Sequence, residues 1–404
     1  MDEIVVTGTR QAYQVTRSSS ATRSDTDLID VPQAVSVVTA RQIRDQAMHS
    51  IADVLRAVPG ASVNGGEGHR DHIVLRGNSS TADFFVDGLR DDVQYYRGLY
   101  NVERVEVLKG PNAMVFGRGG GGGVVNRVSK RPESGSFVRL AASLDSEGAW
   151  DVSADLNTPL SASVNGRINL ARERFDSFRE ANGGQRFAVN PTVAWHIDSE
   201  TRLDLGVEYV RDRRVVDRGV PADFTGRLAD PAPPLAGYDE VFFGQRGTNR
   251  ARFTGKIATA AFEHRFSPVL RFVAKGLAGD YDKMYRNAQP ATAAATVDGV
   301  RKVGIEAYES SIGRRSLLGQ ADLIAEVVTG PVQHTIVAGI DYAHQRSHSN
   351  RFQGFFDAAG TVTRATVPLS DPIVIPPIFF RDGAVNHFGH TDAIARGEAL
   401  GAYL

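Results

Sequence analysis

Residues 202–209 read Arg202-Leu203-Asp204-Leu205-Gly206-Val207-Glu208-Tyr209, with an apolar side chain at nearly every second position. Because successive side chains of a β-strand point to opposite faces, this pattern predicts a strand with one apolar and one polar face. The same alternation recurs in residues 151–156 and 335–342. The repetition predicts a large antiparallel β-structure for most of the chain.

Strand-like segments of this kind follow one another from residue 137 onwards. There are about ten of them, many about ten residues long, which is the length that a tilted strand needs to cross a bilayer. They lie near residues 137–144, 150–157, 164–174, 187–197, 201–211, 250–266, 269–283, 316–328, 332–345 and 398–404.

The connections between the later segments alternate between short turns and long loops. Turns at 198–200, 267–268 and 329–331 alternate with loops at 212–249, 284–315 and 346–397. Outer-membrane barrels have this asymmetry, with short periplasmic turns and longer extracellular loops. We therefore predict an antiparallel transmembrane β-barrel for residues 135–404. A secreted β-sandwich or solenoid is the alternative.

The first 134 residues have the pattern of a small α+β unit. Thr39 is a candidate N-cap of one helix, Ser50 to Asp53 fits a capping box for a second, and Pro59-Gly60 ends that helix. Short strands are predicted at residues 35–38, 73–75, 84–86, 102–108 and 124–128. With a polar terminal segment at 1–25, the predicted units are 1–25, 26–134 and 135–404.

Composition excludes several classes of protein. The net charge is −1, without the basic excess typical of nucleic-acid binders, and the absence of cysteine removes disulfides, zinc-thiolate sites and thiol catalysis. No apolar run approaches the length of a transmembrane helix. The first residues lack the charged and apolar regions of a signal peptide, so we expect none in this chain.

Two motifs that suggest chemistry have simpler explanations. The run Gly117 to Gly122 formally fits a dinucleotide loop, but it leads into the strand-like residues 124–128 rather than into a helix. His69 and His72, like His344 and His348, are close in sequence, and we interpret them as solvated loop histidines rather than metal ligands.

Two other features of the first hundred residues are candidates for binding. Glu3, Ile4, Val5, Val6 and Thr7 form a β-prone run that could add as an edge strand to a partner sheet, or could be an ordinary frayed strand. The loop segment Gln94-Tyr95-Tyr96-Arg97 offers hydrogen bonds, ring faces and a cation, which suit a polar aromatic anion. Packing of one or both tyrosines in a core is the alternative.

An ordered set of motifs in residues 29–132 resembles the TonB-dependent outer-membrane receptors, and specifically their ferric-siderophore branch. The most extensive is Val102 to Pro111, which reads VERVEVLKGP. The others lie at residues 29–39, 55–60, 75–77, 86–88, 116–117, 122–126 and 129–132. Beyond residue 135 the resemblance rests on the pattern of strands and loops.

The resemblance implies an amino-terminal plug inside a barrel of about 22 strands in the outer membrane of a Gram-negative bacterium. A ferric siderophore would bind at the extracellular side, and TonB, energised with ExbB and ExbD, would move the plug. The expected partners are therefore the siderophore, TonB and outer-membrane lipid, without nucleic acid. Iron would be carried as ligand, no resident cofactor is expected, and the protein would not be an enzyme.

The resemblance also assigns roles to individual residues. Glu3 to Thr7 resembles the TonB box, and Arg76 and Phe116 match positions that often face the siderophore in the family. Phe116 replaces the tyrosine often found there, so a hydrogen bond from that position is in doubt. Gln94 to Arg97 corresponds to an apical loop of variable sequence. A polar lumen is expected to be lined by Arg202, Asp204, Glu208 and Arg252.

Other functions remain open at this point. The same fold could take up another scarce ligand such as a corrinoid, haem or a saccharide, or could act as a signalling module. A soluble sugar-binding β-protein is a further alternative. Since about ten strands cannot close around a plug of this size, we expect the chain to be a plug with about half of a barrel.

Overall fold

The computed structural model describes residues 13–110, 116, 120–224, 232–381 and 390–404. Its amino-terminal unit, up to residue 134, combines two short helices with small sheets. In chain order the elements are β1 (Arg17–Ser18), β2 (Thr26–Asp27), a 3-10 turn (Leu28–Asp30), β3 (Ala34–Thr39), α1 (Ala40–Asp45), α2 (Ile51–Arg56), β4 (Ala61–Val63), a 3-10 turn (Gly66–Gly68), β5 (Ile73–Leu75), β6 (Asn78–Ser80), β7 (Phe84–Val86), β8 (Leu89–Arg90), β9 (Val102–Lys109) and β10 (Gly123–Ser129).

The main sheet of this unit has the order β3-β9-β10-β7-β8. β10 runs parallel to β7 and antiparallel to β9, so the sheet is mixed. A separate sheet of three strands has the order β4-β5-β6, and β1 pairs with β2. The predicted α+β unit is confirmed.

Both predicted helix starts are confirmed. The Thr39 hydroxyl accepts a hydrogen bond from the Gln42 amide at 3.2 Å, and Ser50 and Asp53 form both bonds of a capping box. These bonds satisfy amide groups that the first turn of a helix leaves open. The core beneath α2 includes Ile51, Val54, Leu55, Ile73, Leu75, Val105 and Val107. Among the described residues, no helix is long and apolar enough to cross a membrane.

The large sheet contains 13 strands, three of which, β18, β21 and β22, are short. The other ten pair antiparallel in chain order, which confirms the predicted strand pattern. The strands are β11 (Phe137–Leu144), β12 (Trp150–Pro159), β13 (Val164–Asp176), β14 (Gly183–His196), β15 (Thr201–Arg214), β16 (Arg250–Ser267), β17 (Leu270–Pro290), β18 (Ala295–Val297), β19 (Val300–Thr329), β20 (Val332–Phe355), β21 (Arg364–Pro368), β22 (Phe379–Arg381) and β23 (Thr391–Tyr403).

The two ends of the large sheet differ. Connections at 160–163, 197–200, 268–269 and 330–331 lie at one end, which we call the short-turn end. The opposite end, the long-loop end, carries the connections after β13, β15, β17 and β20. This is the asymmetry predicted from the sequence, and it orients the molecule for everything that follows.

Two of the predicted long loops contain long extensions of the neighbouring strands. β17 runs on to Pro290 and pairs with β19, so most of residues 284–315 is sheet, and β20 continues to Phe355. The alternation fades there because both faces of the sheet contact protein. Ala288, Ile305 and Ala307 are fully buried in an apolar cluster at the long-loop end. Alternation of apolar and polar residues identifies strands with one polar face, so it does not identify these extensions, which are buried on both faces.

The two faces of the large sheet have different surroundings. Leu205 and Val207 expose 49% and 55% of their surface on the outer face. On the inner face, the Glu208 carboxylate accepts a hydrogen bond from the Tyr100 hydroxyl at 2.9 Å, and Asp204 lies 3.3 Å from Arg131. The polar positions of residues 202–209 therefore face the amino-terminal unit.

Arg252 does not lie on this inner face, and its prediction was wrong. Arg252 is exposed, whereas its neighbours Ala251 and Phe253 are buried. The Phe253 ring stacks on the Tyr95 ring with centroids 4.3 Å apart. An apolar residue faces inward at this level because the inner face contacts an aromatic ring of the amino-terminal unit instead of water.

The predicted division into residues 1–25, 26–134 and 135–404 stays a prediction. What the structure establishes is that the two units share an apolar cluster. Leu89, Val93 and Tyr95 of the amino-terminal unit pack on inner-face residues of the large sheet. Those inner-face residues are Ala188, Val210, Phe253, Ile257, Leu277, Tyr281 and Leu318.

The capping box makes a testable contribution to the stability of α2. We expect Ser50→Ala to lower the local free energy of unfolding by about 1 kcal/mol, because an N-cap bond is lost. Amide hydrogen exchange in the 51–56 segment should then become roughly five times faster. Ser62→Ala, at an exposed position of β4, is the control and should leave that segment unchanged. Equal exchange in both variants would contradict the assignment.

Candidate functional site

The loop of residues 64–72 brings the amino-terminal unit against the long-loop end of the sheet. Gly66, Glu67 and Gly68 all have positive φ values, of 59°, 57° and 71°. A Cβ atom on Gly68 would lie 2.5 Å from the carbonyl oxygen of Asp217, in the connection between β15 and β16. Only glycine fits so close an approach in this backbone conformation. The loop is therefore held against the sheet by its backbone.

His69 lies at the centre of this contact. It is 3% exposed, so the prediction of a solvated loop histidine was wrong for this residue. Lys283 Nζ of β17 donates to His69 Nδ1 at 2.8 Å and to the carbonyl of Gln94 at 2.5 Å. The other ring nitrogen, Nε2, then carries the proton and donates to Glu67 Oε2 at 3.3 Å.

The protonation states follow from this geometry. Burial lowers the pKa of His69 to about 3, so the ring is neutral at physiological pH. The hydrogen bond from His69 lowers the pKa of Glu67 to about 2, helped by the nearby charges of Arg70 and Arg218. Arg70 and Arg218 lie 3.2 and 3.5 Å from the Glu67 carboxylate. Glu67 is therefore an ionised acceptor shared by several donors.

Aromatic rings of the sheet complete the contact. The His69 ring stacks on Tyr285 with centroids 3.8 Å apart, and Tyr285 meets Tyr308 edge to face at 5.6 Å. The Tyr308 hydroxyl donates to Glu67 Oε2 at 3.1 Å, while the Arg351 guanidinium lies 4.0 Å above the Tyr308 ring. The loop is thus bound by both ring contacts and charge-assisted hydrogen bonds.

The predicted segment 94–97 lies beside this contact, since Gln94 bonds to Lys283 and Arg70. Its alternate residues have different surroundings. Tyr95 and Arg97 are 4% and 1% exposed. Both bond to the Asp91 carboxylate, from the Tyr95 hydroxyl at 3.0 Å and from Arg97 Nε at 2.9 Å. Arg97 also donates its backbone amide to Asp71 at 2.9 Å. Burial raises the pKa of Tyr95, so it stays a hydrogen-bond donor.

Gln94 and Tyr96 are half-buried and lie on the other side of the segment. The Gln94 side-chain oxygen accepts from Arg70 Nη1 at 2.8 Å, and its nitrogen donates to the Thr81 hydroxyl at 3.1 Å. The guanidinium of Arg214, at the end of β15, lies 4.1 Å from the Tyr96 ring centre. The Tyr96 ring, the Gln94 amide and the guanidinium groups of Arg70 and Arg214 therefore lie close together on this side of the segment.

Arg76 and Phe116 lie elsewhere in the amino-terminal unit. Arg76 is exposed in the turn between β5 and β6, with a φ of 49°, and its guanidinium lies beside Gly110. Phe116 is 9% exposed and packs on Phe85 with ring centroids 4.5 Å apart. The structure therefore brings Gln94 to Arg97 together but does not join Arg76 or Phe116 to them. Glu3 to Thr7 lie outside the described residues.

Several residues of the site could not be found from the sequence. Lys283 and Tyr285 lie beyond the predicted strand 269–283 or at its edge, and Tyr308 lies in a predicted loop. Their roles depend on strand extensions that lack the period-2 signal. For the loop 64–72, the available signal was the charged run Glu67 to His72 following two glycines, which marks a turn carrying polar groups.

A mixed unit packed on the inner face of an antiparallel sheet with one long-loop end defines the class of plugged outer-membrane receptors. Comparison with known proteins gives the same result. Residues 27–124 match the family described as TonB-dependent Receptor Plug Domain. The chain therefore belongs to the TonB-dependent receptors, and the amino-terminal unit is their plug.

Individual relatives support this assignment. The metal-pseudopaline receptor CntO of Pseudomonas aeruginosa is 32% identical over 355 residues, covering 85% of this chain and 48% of the receptor. The catecholate siderophore receptor Fiu of Escherichia coli is 24% identical over 420 residues, covering 98% and 53%. The crystal structure of the siderophore receptor PiuA from Acinetobacter baumannii has a TM-score of 0.84 at 19% identity, covering 97% of this chain and 64% of that chain. The chain spans about half the length of the two curated relatives.

A pH titration tests the neutral state of His69. Its pKa falls from 6.5 to about 3 on folding, so the folded state binds fewer protons in this range. The stability of the 64–72 loop should be complete above pH 6.5 and decrease as the pH falls towards 3. The measurement is hydrogen exchange of this loop, corrected for the intrinsic rate.

The variant His69→Phe keeps a ring against Tyr285 but has no group that titrates in this range. We expect the stability of its 64–72 loop to stay constant between pH 6.5 and 4.5. Below pH 4.5 the protonation of Glu67, whose pKa the charges of Arg70 and Arg218 still lower in this variant, should still weaken the loop. His49→Phe, at an exposed position, is the control and should behave like the unchanged protein. If the loop of His69→Phe lost as much stability between pH 6.5 and 4.5 as the loop of the unchanged protein, the assignment of His69 as a buried neutral histidine would be contradicted.

Proposed function

We propose that this chain forms the plug and part of the barrel of an outer-membrane receptor for a ferric siderophore in a Gram-negative bacterium. The ligand binds at the long-loop end, which faces the exterior, and reaches the periplasm when TonB, energised by ExbB and ExbD, moves the plug. The cycle requires binding and conformational change and no covalent chemistry. The protein is in this proposal a transporter, not an enzyme.

The observation that carries the proposal is the surface formed by Gln94 and Tyr96 beneath Arg214. Ferric siderophores present anionic oxygens around iron, often on aromatic rings. Guanidinium groups bind such oxygens in charge-assisted hydrogen bonds, and a tyrosine ring can stack on an aromatic chelating group. Arg70 and Arg218, which share the Glu67 carboxylate, would be available for the ligand by exchanging one partner for another.

The residues predicted to contact the ligand differ in burial, and this supports different roles for them. Gln94 and Tyr96 are proposed to contact the ligand. Tyr95 and Arg97, both buried, are proposed to position them. Arg76 and Phe116 stay predictions from the family resemblance, as positions that would face the bound siderophore.

The names of the relatives support a chelated metal as the ligand. Fiu is a catecholate siderophore receptor and PiuA a siderophore receptor, which favours ferric siderophores. CntO is a metal-pseudopaline receptor and, of these three, has the highest identity to this chain. A chelate of another metal is therefore the second candidate. A corrinoid, haem or a saccharide stays an alternative from the fold alone.

A binding experiment with Tyr96→Ala tests the proposed site. Radioiron-labelled catecholate, hydroxamate and citrate-type chelates would be offered to outer membranes carrying the protein, with a nickel chelate, a corrinoid and haem as competitors. We expect one iron chelate to bind and Tyr96→Ala to weaken it roughly tenfold, because a ring contact at the centre of a site is lost.

Tyr342→Ala is the matched control, because Tyr342 lies on the outer face of β20 and bonds to Glu398 of β23 at 3.1 Å. It removes a tyrosine of the same barrel and should leave affinity unchanged. Failure of every iron chelate to bind would overturn the siderophore proposal. Equal affinity of the Tyr96→Ala and unchanged proteins would overturn the site.

The edge strand proposed for Glu3 to Thr7 is tested by Val5→Pro. Proline removes a backbone donor, so pairing with a TonB strand should fail while surface binding continues. The readout is energised uptake of the bound chelate by intact cells, compared with binding at low temperature. Gln14→Pro, outside the run, should transport normally. Transport by the Val5→Pro protein at the original rate would refute the assignment.

A further inference from the structure

Asn249, the residue before β16, makes four hydrogen bonds inside the protein with its side-chain amide. The residue is 2% exposed. Its Nδ2 atom donates to the carbonyls of Val216 and Ala288, both at 2.9 Å. Its Oδ1 atom accepts from the backbone amides of Ala288 at 2.9 Å and Gln245 at 3.1 Å. An asparagine side chain has two donors and two lone pairs, so its full capacity is used.

These partners fix the orientation of the Asn249 amide. Backbone carbonyls only accept and backbone amides only donate, so a flipped side chain would place like groups against one another. The site is buried, and an unmatched polar group there has no water to replace its partner. A side chain of the same shape with different hydrogen-bonding groups is therefore unfavourable at this position.

The four bonds join segments that are distant in the chain. Val216 follows β15, Gln245 lies near the end of the connection between β15 and β16, and Ala288 belongs to β17. Asn249 thus closes the base of that connection and attaches it to the next strand but one. Gln245 extends the attachment, because its Nε2 atom donates to the carbonyls of Ile375 and Pro376 at 3.2 Å each.

Two of the four bonds continue the sheet, and one does something else. The pair of bonds with the amide and carbonyl of Ala288 resembles the exchange between two opposite residues of an antiparallel sheet. They extend β16 by one position. The bond to the Val216 carbonyl is not needed for that extension. It holds the segment of residues 216–218, which we call the arm.

The arm carries the contact between the sheet and the plug. Val216 is fully buried in an apolar cluster of inner-face residues. The next residue is Asp217, whose carbonyl is the atom that the backbone of Gly68 approaches. The Asp217 carboxylate lies 2.7 Å from Arg179 Nε. Because Asp217 follows Val216 directly, a displacement of the Val216 carbonyl is passed on to the plug contact.

Arg218, the last residue of the arm, reaches the proposed ligand surface. Its Nη1 atom donates to the Tyr308 hydroxyl at 3.0 Å, and the guanidinium lies 3.5 Å from the Glu67 carboxylate. Hydrogen bonds weaken steeply when their geometry is lost, and a displacement of about 1 Å at a binding group is enough to lower function strongly. The position of Arg218 therefore depends on how firmly the arm is held.

We propose that Asn249 is a positioning residue for the ligand site. By holding the Val216 carbonyl it fixes the arm against the plug and keeps Arg218 in place for an anionic oxygen of the chelate. Asn249 does not touch the ligand and acts through Arg218. The inference rests on the proposed function for the identity of the ligand, whereas the contact of the arm with the plug is independent of it.

The first test measures chelate affinity in Asn249→Asp. This substitution keeps the shape of the side chain but places an acceptor where Asn249 donates to two carbonyls. The probe is the radioiron-labelled chelate that the unchanged protein binds, offered to outer membranes. We expect Kd to rise roughly tenfold, since buried hydrogen bonds are lost. Asn350→Asp is the matched control, half-buried on the outer face of β20, and its affinity should not change.

A double-mutant cycle with Arg218→Ala separates positioning from a general effect on the fold. If Asn249 acts through Arg218, adding Asn249→Asp to Arg218→Ala should weaken binding by less than about twofold more. Losses that multiply in full would mean that the two residues act independently. Asn249→Ser keeps one donor and adds no charge, so it should give an intermediate loss and guards against misfolding of Asn249→Asp.

Amide hydrogen exchange gives a readout that needs no ligand. In Asn249→Asp we expect exchange in the 64–72 loop to become roughly five times faster, because its support on the arm is weakened. Exchange in the 51–56 segment of the plug should stay the same, whereas general destabilisation would change both. If the siderophore proposal failed, no iron chelate would bind to the unchanged protein, but the 64–72 loop would still respond to Asn249→Asp.

The inference would be overturned by any of three findings. The first is equal chelate affinity of Asn249→Asp and the unchanged protein. The second is full multiplication of the losses in the double variant with Arg218→Ala. The third is exchange in the 64–72 loop that is the same in Asn249→Asp and in Asn350→Asp.

Discussion

The surface that the plug presents towards the long-loop end depends on one buried carboxylate, that of Asp91. Its Oδ2 atom accepts hydrogen bonds from Arg97 Nε at 2.9 Å, Arg127 Nη2 at 2.8 Å and the Tyr95 hydroxyl at 3.0 Å. Burial opposes ionisation, but the charges of Arg97 and Arg127 outweigh it and lower the pKa of Asp91. Removing one member would leave a buried charge without its partner, which is strongly destabilising. Because Tyr95 is fixed beneath the segment, Tyr96 is directed to the other side.

The plug meets the sheet through contacts of two kinds, and they respond differently to movement. Tyr100 with Glu208 and Arg131 with Asp204 are polar pairs that water can replace, so the net free energy lost on separating each is small. The ring of Tyr95 on Phe253 has no such substitute, because exposing it returns apolar surface to water. Of these contacts, the stacking of Tyr95 on Phe253 therefore costs the most free energy to separate when the plug moves. The polar pairs exchange their partners for water at a smaller cost.

Much of the fold could be predicted from the sequence because local patterns determine it. Residues 202–209 alternate since one face meets the outer surroundings and the other meets the plug, and Ser50 starts a helix by bonding to its first turn. The site could not be predicted in the same way. His69 is buried only because Lys283 and Tyr285 lie on a strand extension that has no alternation. Arg252 faces outward because Phe253 is required against Tyr95, a contact between residues far apart in the chain.

The period of two also explains how the end of one strand can contact the plug and the outer surroundings at the same level. Near the end of β15, Asp212 faces inward and bonds to Arg186, while Arg213, the next residue, is exposed on the outer face. Arg214 faces inward again, over the Tyr96 ring. Two arginines at adjacent positions therefore have different surroundings, because successive side chains of a strand point to opposite faces. Only the inward one can act on the plug, so a substitution of Arg214 changes the surface around Tyr96 and a substitution of Arg213 does not.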